Sequence, residues 1–268
     1  MSNCLEIDIL TIFPNMFKSP FSESILNKAQ EQRLIKINLI DLRDFTLDKH
    51  KTVDDYSYGG GPGMVLKPQP IWDAVEEIKK NKSSFPLKII ITSAQGKIFN
   101  QAMAKDWSKE SRLLIICGRY EGIDERILQL LDAEEVSVGN FVVSGGELPA
   151  MLMVDAVSRM VPGVIGKEES IVNDSFYNGY LDYPHYTRPD DFKGLKVPDI
   201  LLSGNHKEIE KWRRAQSLLR TLIRRPEIFK NIKLSKRELT LLKEFEKDFI
   251  EYFNKKAGKK RIKIEKNT

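Results

Sequence analysis

The stretch VSVGNFVVSGGELPA, Val136 to Ala150, decides the fold together with ICGRYEGIDER, Ile116 to Arg126, which precedes it. Each run begins as an apolar strand, breaks at glycine and leads into a segment with helical periodicity. That layout is typical of a ligand-binding loop at a strand end in an α/β sheet, because glycine lets the backbone approach a bound molecule. One such loop alone is equally consistent with a plain chain reversal. Two loops about twenty residues apart favour a binding site.

The composition indicates a protein of a reducing compartment. The 268 residues suffice for one large domain or two smaller ones, and the hydrophobic content of 41% is ordinary. Cys4 and Cys117 lie far apart in apolar runs, which predicts buried thiols rather than a disulfide framework. No apolar run approaches bilayer-spanning length, and the N-terminus lacks the features of a signal peptide. We therefore expect a cytoplasmic protein with no membrane partner.

Charge is distributed unevenly along the chain, although the net charge is only +5. Residues 207–268 contain 20 Lys and Arg against 9 Asp and Glu, whereas residues 1–206 contain 23 against 29. A basic end on a mildly acidic body predicts a module that binds a polyanion. The alternative is a solvated helical face that ends in a disordered tail. For residues 255–268 we expect the disordered basic tail.

The pattern over residues 1–160 predicts an α/β domain with a parallel sheet and helices on both faces. Strands are expected over 5–13, 35–42, 87–92, 113–117 and 135–141, and helices over 22–32, 69–80, 100–107, 123–131 and 147–160. Strands that alternate with helices form parallel crossover units. Three of the strand ends carry glycine or small residues. Because ligands gather at the carboxyl ends of parallel strands, we expect one pocket formed by all three.

The segment Arg43 to Pro70 has little periodicity and contains YGGGPGM, Tyr58 to Met64. A loop this long inside a compact domain is usually functional or disordered. The glycines resemble those of phosphate-cradling loops, but the Gly-Lys-Ser/Thr ending of a P-loop is missing, which disfavours an NTPase. We interpret the segment as a substrate loop, with ordinary solvated loop residues as an equal alternative for each polar side chain. Those side chains are His50, Lys51, Asp54 and Asp55.

Composition changes after Met160. Residues 161–198 are rich in Gly, Pro, Asp, Asn and Tyr, which predicts an interdomain linker. Its run Tyr183 to Pro189 is suited to stacking on bases and contacting phosphates, and the alternative is a strap with satisfied polar groups. A strand fragment over 198–202 and amphipathic helices over 207–225 and 235–253 are expected next. The apolar side of the first helix is predicted to contain Ile209, Trp212, Ala215, Leu219 and Leu222, and the inward side of the second to contain Leu239, Leu242, Phe245, Phe249 and Tyr252. Because Arg213 and Arg214 lie outside the apolar side of the first helix, residues 199–254 are predicted to form a small, basic, all-helical domain that binds RNA.

Seven motifs resemble those of the bacterial tRNA (guanine-N1)-methyltransferase family. They occur in order between Ile9 and Pro226: YGGGPGM, CGRYEGIDER, SVGNFVVSGGELPA, DAVSRMVPGV, DSF, PHYTRP and LLSGNHKEIEKWRRAQSLLRT. The resemblance implies transfer of a methyl group from S-adenosylmethionine to guanosine 37 of tRNA, on the 3′ side of the anticodon. It also implies a SPOUT-type fold with a deep trefoil knot, which is an exception to the rule against threaded chains. The resemblance further implies a homodimer with its active sites at the subunit interface. This homodimer is expected to bind the anticodon stem-loop of tRNA.

The resemblance also assigns individual residues. Asp174 looks like the family's general base, and Arg159 looks like its partner near the base oxygen, with plain helix capping as the alternative for Arg159. The cofactor residues implied are Thr92, Ser93, Ala94, Gln95, Gly118, Tyr120, Glu121, Gly122, Val138, Gly139, Asn140, Phe141, Val142, Val143, Ser144, Gly145 and Gly146. The tRNA-binding residues implied are His50, Lys51, Asp54, Tyr58, Gly63, Ser175, His185, Arg188, Arg213 and Arg214.

The chemistry makes the two catalytic assignments sensible. Guanine N1 carries a proton at neutral pH, so a carboxylate such as Asp174 must remove it before the nitrogen attacks a methyl group. The negative charge that then spreads to O6 would be stabilised by the permanently cationic Arg159. Glu121 resembles a family residue linked to magnesium, but a lone Glu is weak evidence for a metal site, and Mg²⁺ stays open.

The sequence departs from the family's pattern in two cofactor loops. Asn140 stands where the family more often has Asp, and Thr92 to Gly96 reads TSAQG where the family has Leu-Ser-Pro-Gln-Gly. These departures affect the detailed contacts of the loops rather than the expected activity. A catalytically silent tRNA-binding relative is the alternative, but such a relative would be expected to have lost Asp174 or Arg159.

Overall fold

A computed structural model describes residues 4–81, 85–166 and 168–245. The chain divides into two compact units, Met1–Ile171 and Val172–Thr268. Within the described residues, none of the helices combines the length and the apolar composition that are needed to cross a bilayer.

A sheet of five strands forms the centre of the first unit: β1 (Leu5–Thr11), β2 (Ile35–Asp41), β5 (Lys88–Ile98), β6 (Arg112–Cys117) and β7 (Ala133–Ser137). Their order in the sheet is β2-β1-β6-β5-β7. Every neighbouring pair is parallel; Ile7 of β1, for example, lies between Ile37 of β2 and Leu113 of β6. The predicted parallel α/β sheet is therefore confirmed.

Both faces of this sheet are buried, which explains why its central strands are continuously apolar. Side chains alternate along a strand, so Ile7 and Leu113 point into one core while Leu10 and Leu114 point into the other. The first core is covered by helices α2 (Ser24–Glu31), α4 (Gln101–Trp107) and α6 (Glu147–Ser158), together with the single turn α1 (Lys18–Phe21). The second core is covered by α3 (Pro68–Asn81) and α5 (Glu125–Leu130).

Two strands end four or more residues away from their predicted ends, and β1 ends at Thr11 rather than at the predicted Phe13. Strand β7 ends at Ser137, so the prediction that Val138 to Phe141 continues it is wrong, and the apolar residues that follow are exposed, Val142 by 86%. The chain turns at Gly139, where φ is +153° and the Phe141 N–H donates to the Gly139 carbonyl at 2.9 Å, and this turn overrides the β-propensity of Phe-Val-Val. Strand β5 continues beyond the predicted end through an irregularity between Thr92 and Lys97.

The glycine-rich segment is a hairpin rather than an irregular loop. Strand β3 (Asp54–Tyr56) pairs antiparallel with β4 (Met64–Leu66). The connecting Gly59, Gly60 and Gly61 have positive φ, which glycine adopts without strain. A P-loop joins a strand to a helix, whereas this loop joins two antiparallel strands, so the geometry gives no support to an NTPase.

The second unit contains the hairpin β8 (Asp191–Phe192) and β9 (Leu195–Lys196) and a series of helices. The helices are α8 (Asp199–Leu202), α9 (His206–Arg224) and α10 (Pro226–Phe229), and α7 (Glu168–Asn173) precedes them across the division of the chain. The predicted strand fragment over 198–202 is wrong, because Pro198 precedes a helical turn that opens with an acidic residue.

The apolar side predicted for the longest helix is largely confirmed. Ile209, Trp212, Ala215 and Leu219 of α9 are buried. Backbone over 236–245 is helical, but Leu239 is 47% exposed and Leu241 is buried instead, so the predicted inward side of this helix is wrong at Leu239. The rest of that predicted helix, with Phe249 and Tyr252, and the tail over 255–268 lie outside the described residues.

Candidate active site

A cavity of about 420 Å³ opens beside the irregularity of β5 between Thr92 and Lys97 and at the ends of β6 and β7. The prediction of a loop at a strand end over Ser93 to Gly96 is wrong, because these residues lie inside β5. Every residue that the resemblance assigns to the cofactor lines the cavity except Gly139 and Asn140, so the structure brings the three predicted segments together. The lining residues shared with that assignment are Thr92, Ser93, Ala94, Gln95, Gly118, Tyr120, Glu121, Gly122, Val138, Phe141, Val142, Val143, Ser144, Gly145 and Gly146.

Direct hydrogen bonds join these loops. The Gly118 N–H donates to the Thr92 hydroxyl oxygen at 3.0 Å, and that hydroxyl reaches the Ile116 carbonyl at 3.3 Å. The Gly146 N–H donates to the Gly118 carbonyl at 2.7 Å. A Cβ atom on Gly146 would lie 1.9 Å from Thr92 Oγ1 and 2.8 Å from the Gly118 nitrogen, so only glycine fits where the loops meet.

The glycine-rich hairpin is tied to the loop that follows β6. The Glu121 N–H donates to the Met64 carbonyl at 2.9 Å. Gly63 lies against the Glu121 side chain, since a Cβ atom added to it would be 2.4 Å from Glu121 Oε1. Tyr58, at the tip of the hairpin, is 100% exposed. Gly63, assigned to tRNA, is thus in contact with a residue assigned to the cofactor.

The cavity is acidic and partly apolar. Glu121, Glu125 and Glu135 line it, and Arg119 is the single Lys or Arg among the described lining residues. Apolar surface comes from Ile123, Leu128, Phe141 and Val142. Such a lining suits a ligand that combines positive charge with a flat or apolar part.

The sequence prediction missed a buried ion pair beneath the loop after β7. Glu147, the first residue of α6, is 0% exposed and accepts hydrogen bonds from the Thr11 hydroxyl at 2.9 Å and from Arg119 Nε at 3.0 Å. Arg119 Nη1 also donates to the Ser144 carbonyl at 3.0 Å. Arg119 lies in the motif CGRYEGIDER and Glu147 in SVGNFVVSGGELPA. The position of Glu147, between a glycine pair and an apolar helix, is the sequence signal that could have indicated a buried charge.

Cys117 lies at the end of β6 beside this ion pair and is buried, as predicted, whereas Cys4 is only half-buried. Burial, with a further contribution from the Glu147 carboxylate, raises the pKa of the Cys117 thiol well above its ordinary value. The thiol is therefore protonated at neutral pH and is no candidate nucleophile.

Glu121 has no cluster of metal-ligating side chains around it among the described residues. Within the described ranges, no group of three or more His, Cys, Asp or Glu side chains is placed to hold a metal ion. The described part of the chain therefore does not supply a magnesium site by itself.

Arg159 and Asp174, the residues assigned to catalysis, fall in different units. Arg159 ends α6 in the first unit, where its N–H donates to the Asp155 carbonyl at 3.1 Å and its side chain is half-buried. Asp174 follows α7 in the second unit and is half-buried, and its carbonyl accepts from the Tyr177 N–H at 3.3 Å. The neighbouring Ser175 hydroxyl accepts from the Asp182 N–H at 3.0 Å.

His50, Lys51 and Asp55 of the segment over 43–70 are exposed, and Asp54 is half-buried. The His50 N–H donates to Asp48 Oδ1 at 2.9 Å. Lys51 Nζ donates to Asp44 Oδ1 at 2.8 Å, and this hydrogen bond raises the pKa of Lys51. Asp54 opens strand β3, opposite Leu66 of β4.

The residues assigned to tRNA in the second unit line a cavity of about 700 Å³, apart from Ser175 and Arg214. His185 Nε2 lies 2.7 Å from Asp182 Oδ2, and its ring packs at 4.7 Å from the Tyr183 ring. The Arg213 guanidinium stacks over Tyr183 at 4.9 Å, and Arg188 is exposed. This cavity offers aromatic surface and cationic groups within one unit.

Arg214 is engaged inside the second unit. Its Nε donates to Glu238 Oε1 at 2.9 Å, and its guanidinium lies 4.0 Å from the centre of the Tyr180 ring. Partial burial would raise the pKa of Glu238, but the Ser235 N–H, the Arg214 guanidinium and the Ser235 hydroxyl outweigh it and lower the pKa to about 2. Arg214 therefore stabilises this unit whatever its role toward RNA.

Comparison with known proteins gives one consistent result. The family model described as tRNA (Guanine-1)-methyltransferase TrmD matches residues 5–231. A protein of Geobacillus kaustophilus (strain HTA426) is 54% identical over 244 residues, 91% of this chain and 99% of its own length. One of Pelotomaculum thermopropionicum is 53% identical over 90% of this chain and 96% of its own, and one of Bacillus subtilis (strain 168) is 50% identical over 91% and 100%. Each bears the name tRNA (guanine-N(1)-)-methyltransferase.

Proposed function

The chain belongs to the tRNA (guanine-1)-methyltransferase family, and from that premise we propose that it transfers a methyl group from S-adenosylmethionine to N1 of guanosine 37 in tRNA. The observation that carries the proposal beyond the family name is the acidic cavity between the irregularity of β5 and the ends of β6 and β7. A methyltransferase needs a methyl donor, and this cavity has the charge and the position expected for one.

The cavity fits S-adenosylmethionine in three respects. The donor carries positive charge on its sulfonium and its amino group, which the carboxylates of Glu121, Glu125 and Glu135 would attract. The donor also carries an adenine ring, for which the apolar part of the lining offers a surface. The volume of about 420 Å³ lies within the range of pockets that hold small organic ligands.

The chemistry proposed for the chain's own residues is proton removal and charge stabilisation. Asp174 takes the proton from guanine N1, and Arg159 stabilises the negative charge that spreads to O6. S-adenosylmethionine supplies an electrophilic methyl group. Because methyl transfer from a sulfonium to an anionic base neutralises charge, the remaining contribution of the protein is to align the base. Exposed Tyr58 and the aromatic and basic residues around Tyr183 are proposed to hold the RNA.

We also propose that the enzyme is a homodimer with its active sites at the subunit interface and a trefoil-knotted SPOUT fold. Helix α6 is apolar almost all round, and its Leu148 and Leu152 are 51% and 58% exposed. Phe141 and Val142 of the preceding loop are exposed as well. Exposed apolar side chains of this kind are expected to be buried in an assembly, and a second copy of the chain would cover them.

The test is transfer of a labelled methyl group from S-adenosylmethionine to an unmodified tRNA transcript that has guanosine at positions 36 and 37. We expect incorporation that disappears when adenosine replaces guanosine 37. No incorporation above a control without enzyme would refute the proposal and leave a silent tRNA-binding relative. Incorporation that persists in the adenosine 37 transcript would refute the proposed position.

The role of Asp174 is tested by substitution. Asp174→Ala is expected to abolish transfer while leaving calorimetric binding of S-adenosylmethionine nearly intact, because the residue acts on the base. The matched control is Asp199→Asn, which alters an exposed acidic residue of the same unit and should leave transfer unchanged. Loss of donor binding together with transfer in Asp174→Ala would assign Asp174 a structural role instead.

A further inference from the structure

We infer that Glu147 and Arg119 are positioning residues, and that the ion pair between the buried Glu147 and the half-buried Arg119 holds the Ser144–Gly146 backbone in place as a wall of the methyl-donor cavity. The inference rests on the proposed function for the identity of the ligand. The geometry of the pair stands independently of that identity.

Glu147 is the fixed end of this arrangement. Both of its carboxylate oxygens are used, one by the Thr11 hydroxyl and the other by Arg119 Nε. The Thr11 oxygen also accepts the Phe13 N–H at 2.9 Å, so the Thr11 hydroxyl hydrogen is free to point at Glu147. Thr11 is the last residue of β1, an interior strand of the sheet, and the carboxylate is therefore fastened to the sheet.

Arg119 links the Glu147 carboxylate to the backbone of the cavity wall. Nη1 of its guanidinium donates to the Ser144 carbonyl at 3.0 Å, and its backbone pairs with Gly145 as an isolated antiparallel bridge. The guanidinium also lies over the Phe13 ring at 4.6 Å, which restricts its rotation. A Cβ atom on Gly145 would lie 2.1 Å from Arg119 Nε, so the loop backbone rests directly on this side chain.

Stability alone does not account for the pair. Moving two charges out of water costs more than their attraction commonly returns, and apolar replacements of buried ion pairs are often as stable or more stable. What an apolar pair does not provide is a rigid, directional link from the sheet to a carbonyl of the loop. Glu147 also neutralises the single cation of the described cavity lining, which leaves the lining acidic toward a cationic donor.

The variants that test the inference are Glu147→Gln and Arg119→Lys. Lysine has one donor centre and cannot contact Glu147 and Ser144 in the same fork geometry. Asp8→Asn is the matched control, since Asp8 is also a buried acid of the sheet, on β1, paired with Arg112 at 3.5 Å but outside the cavity. All three variants are checked for folding by thermal unfolding.

The first measurement is calorimetric binding of S-adenosylmethionine. We expect affinity to fall about 10- to 100-fold in Glu147→Gln and in Arg119→Lys, the range for loss of a hydrogen bond to a charged group, and to stay within about 3-fold of wild type in Asp8→Asn. Equal losses in all three folded variants, or no loss in the first two, would overturn the inference.

The second measurement needs no ligand. The Gly146 amide donates to the Gly118 carbonyl at 2.7 Å, and in the free protein we expect its hydrogen exchange to be at least about 10-fold faster in Glu147→Gln than in Asp8→Asn. Unchanged exchange would overturn the positioning role. If wild type fails to bind S-adenosylmethionine, the proposed function fails, while this exchange measurement still decides the inference.

Discussion

Replacement of Gly146 by alanine tests whether the backbone around Gly146 is packed too closely to accept one additional methyl group. A Cβ atom at this position would lie 1.9 Å from Thr92 Oγ1, 2.8 Å from the Gly118 nitrogen and 2.9 Å from Cys117 Cα. Gly146 has φ of −74°, which any residue adopts, so the whole effect is steric rather than conformational. The clash cannot be relieved by one flexible side chain because two of the three contacts are backbone atoms.

The magnitude follows from what must move. Overpacking of a tight site costs about 1–3 kcal/mol. Displacement of the Thr92 hydroxyl loses its bonds to Gly118 and Ile116, at about 1 kcal/mol each. We expect the free energy of unfolding of Gly146→Ala to fall by roughly 3–5 kcal/mol. At about 2–4 °C per kcal/mol for a unit of this size, Tm should fall by roughly 6–20 °C.

The assay is thermal and urea unfolding of Gly146→Ala beside Gly166→Ala, whose added Cβ would meet nothing within 4 Å. Binding of S-adenosylmethionine should weaken at least about 10-fold in the first variant and stay unchanged in the second. The double variant Thr92→Ala/Gly146→Ala should recover part of the stability, because it removes the contact at 1.9 Å and leaves the two backbone contacts. A destabilisation below about 1 kcal/mol in Gly146→Ala would refute the packing argument.

Three further predictions concern other parts of the chain. Ser158→Ala should change the free energy of unfolding by less than about 1 kcal/mol or stabilise the protein, as measured in urea, because Ser158 Oγ is buried without a hydrogen-bond partner among the described residues. Glu238→Gln should lower stability at pH 7, and the difference from wild type should vanish between pH 4.5 and about 2, because the folded-state pKa lies near 2 and the group's contribution is lost as acid protonates it. Tyr58→Ala should weaken tRNA binding about 10-fold in a filter assay, the effect of one lost base stack, without changing Tm, because the side chain is fully exposed.

Each of these three has an outcome that contradicts it. A loss of more than about 1 kcal/mol in Ser158→Ala would mean that the hydroxyl is satisfied in solution. A Glu238→Gln variant that tracks wild type at every pH would mean that the carboxylate is not held by Ser235 and Arg214. Tyr58→Ala with full tRNA affinity would leave the glycine-rich hairpin without a part in RNA binding.

The sheet could be predicted from sequence because its signal is local and strong. Runs such as Leu113 to Cys117 are continuously apolar, and a short run of this kind is typical of a strand that is buried on both faces. The helix that begins at Gln101 has Asn100 as its N-cap residue, and the Asn100 side chain accepts the Met103 N–H at 3.1 Å. The grouping of three glycine-bearing strand ends followed from the parallel order alone.

The misplaced boundaries have a common physical cause. Phe141 to Val143 favours strand by propensity, but a turn at Gly139 ends β7 before it, and propensity is a weak guide where tertiary contacts decide. The ion pair of Arg119 and Glu147 was missed for a related reason. Hydrophobic periodicity describes apolar positions, and it does not say which two buried charges, 28 residues apart, will meet.

The assignment of Asp174 and Arg159 came from resemblance and could not have come from pattern. Both are ordinary polar residues at helix ends, and each has a plain structural explanation in its own unit. Their proposed chemistry depends on a base that belongs to another molecule. Sequence and fold therefore lead to the cavity beside β5, β6 and β7, and only methyl-transfer measurements can identify the base.

The strand order has a consequence for synthesis on the ribosome. Strand β1 lies between β2 and β6, and β6 starts at Arg112, roughly 100 residues after β1 ends. At about 5–20 residues per second, one edge of β1 waits on the order of 5–20 s for its partner. A nascent chain that stalls before β6 would display an unpaired apolar strand, so slow translation of this stretch should increase the demand for chaperones.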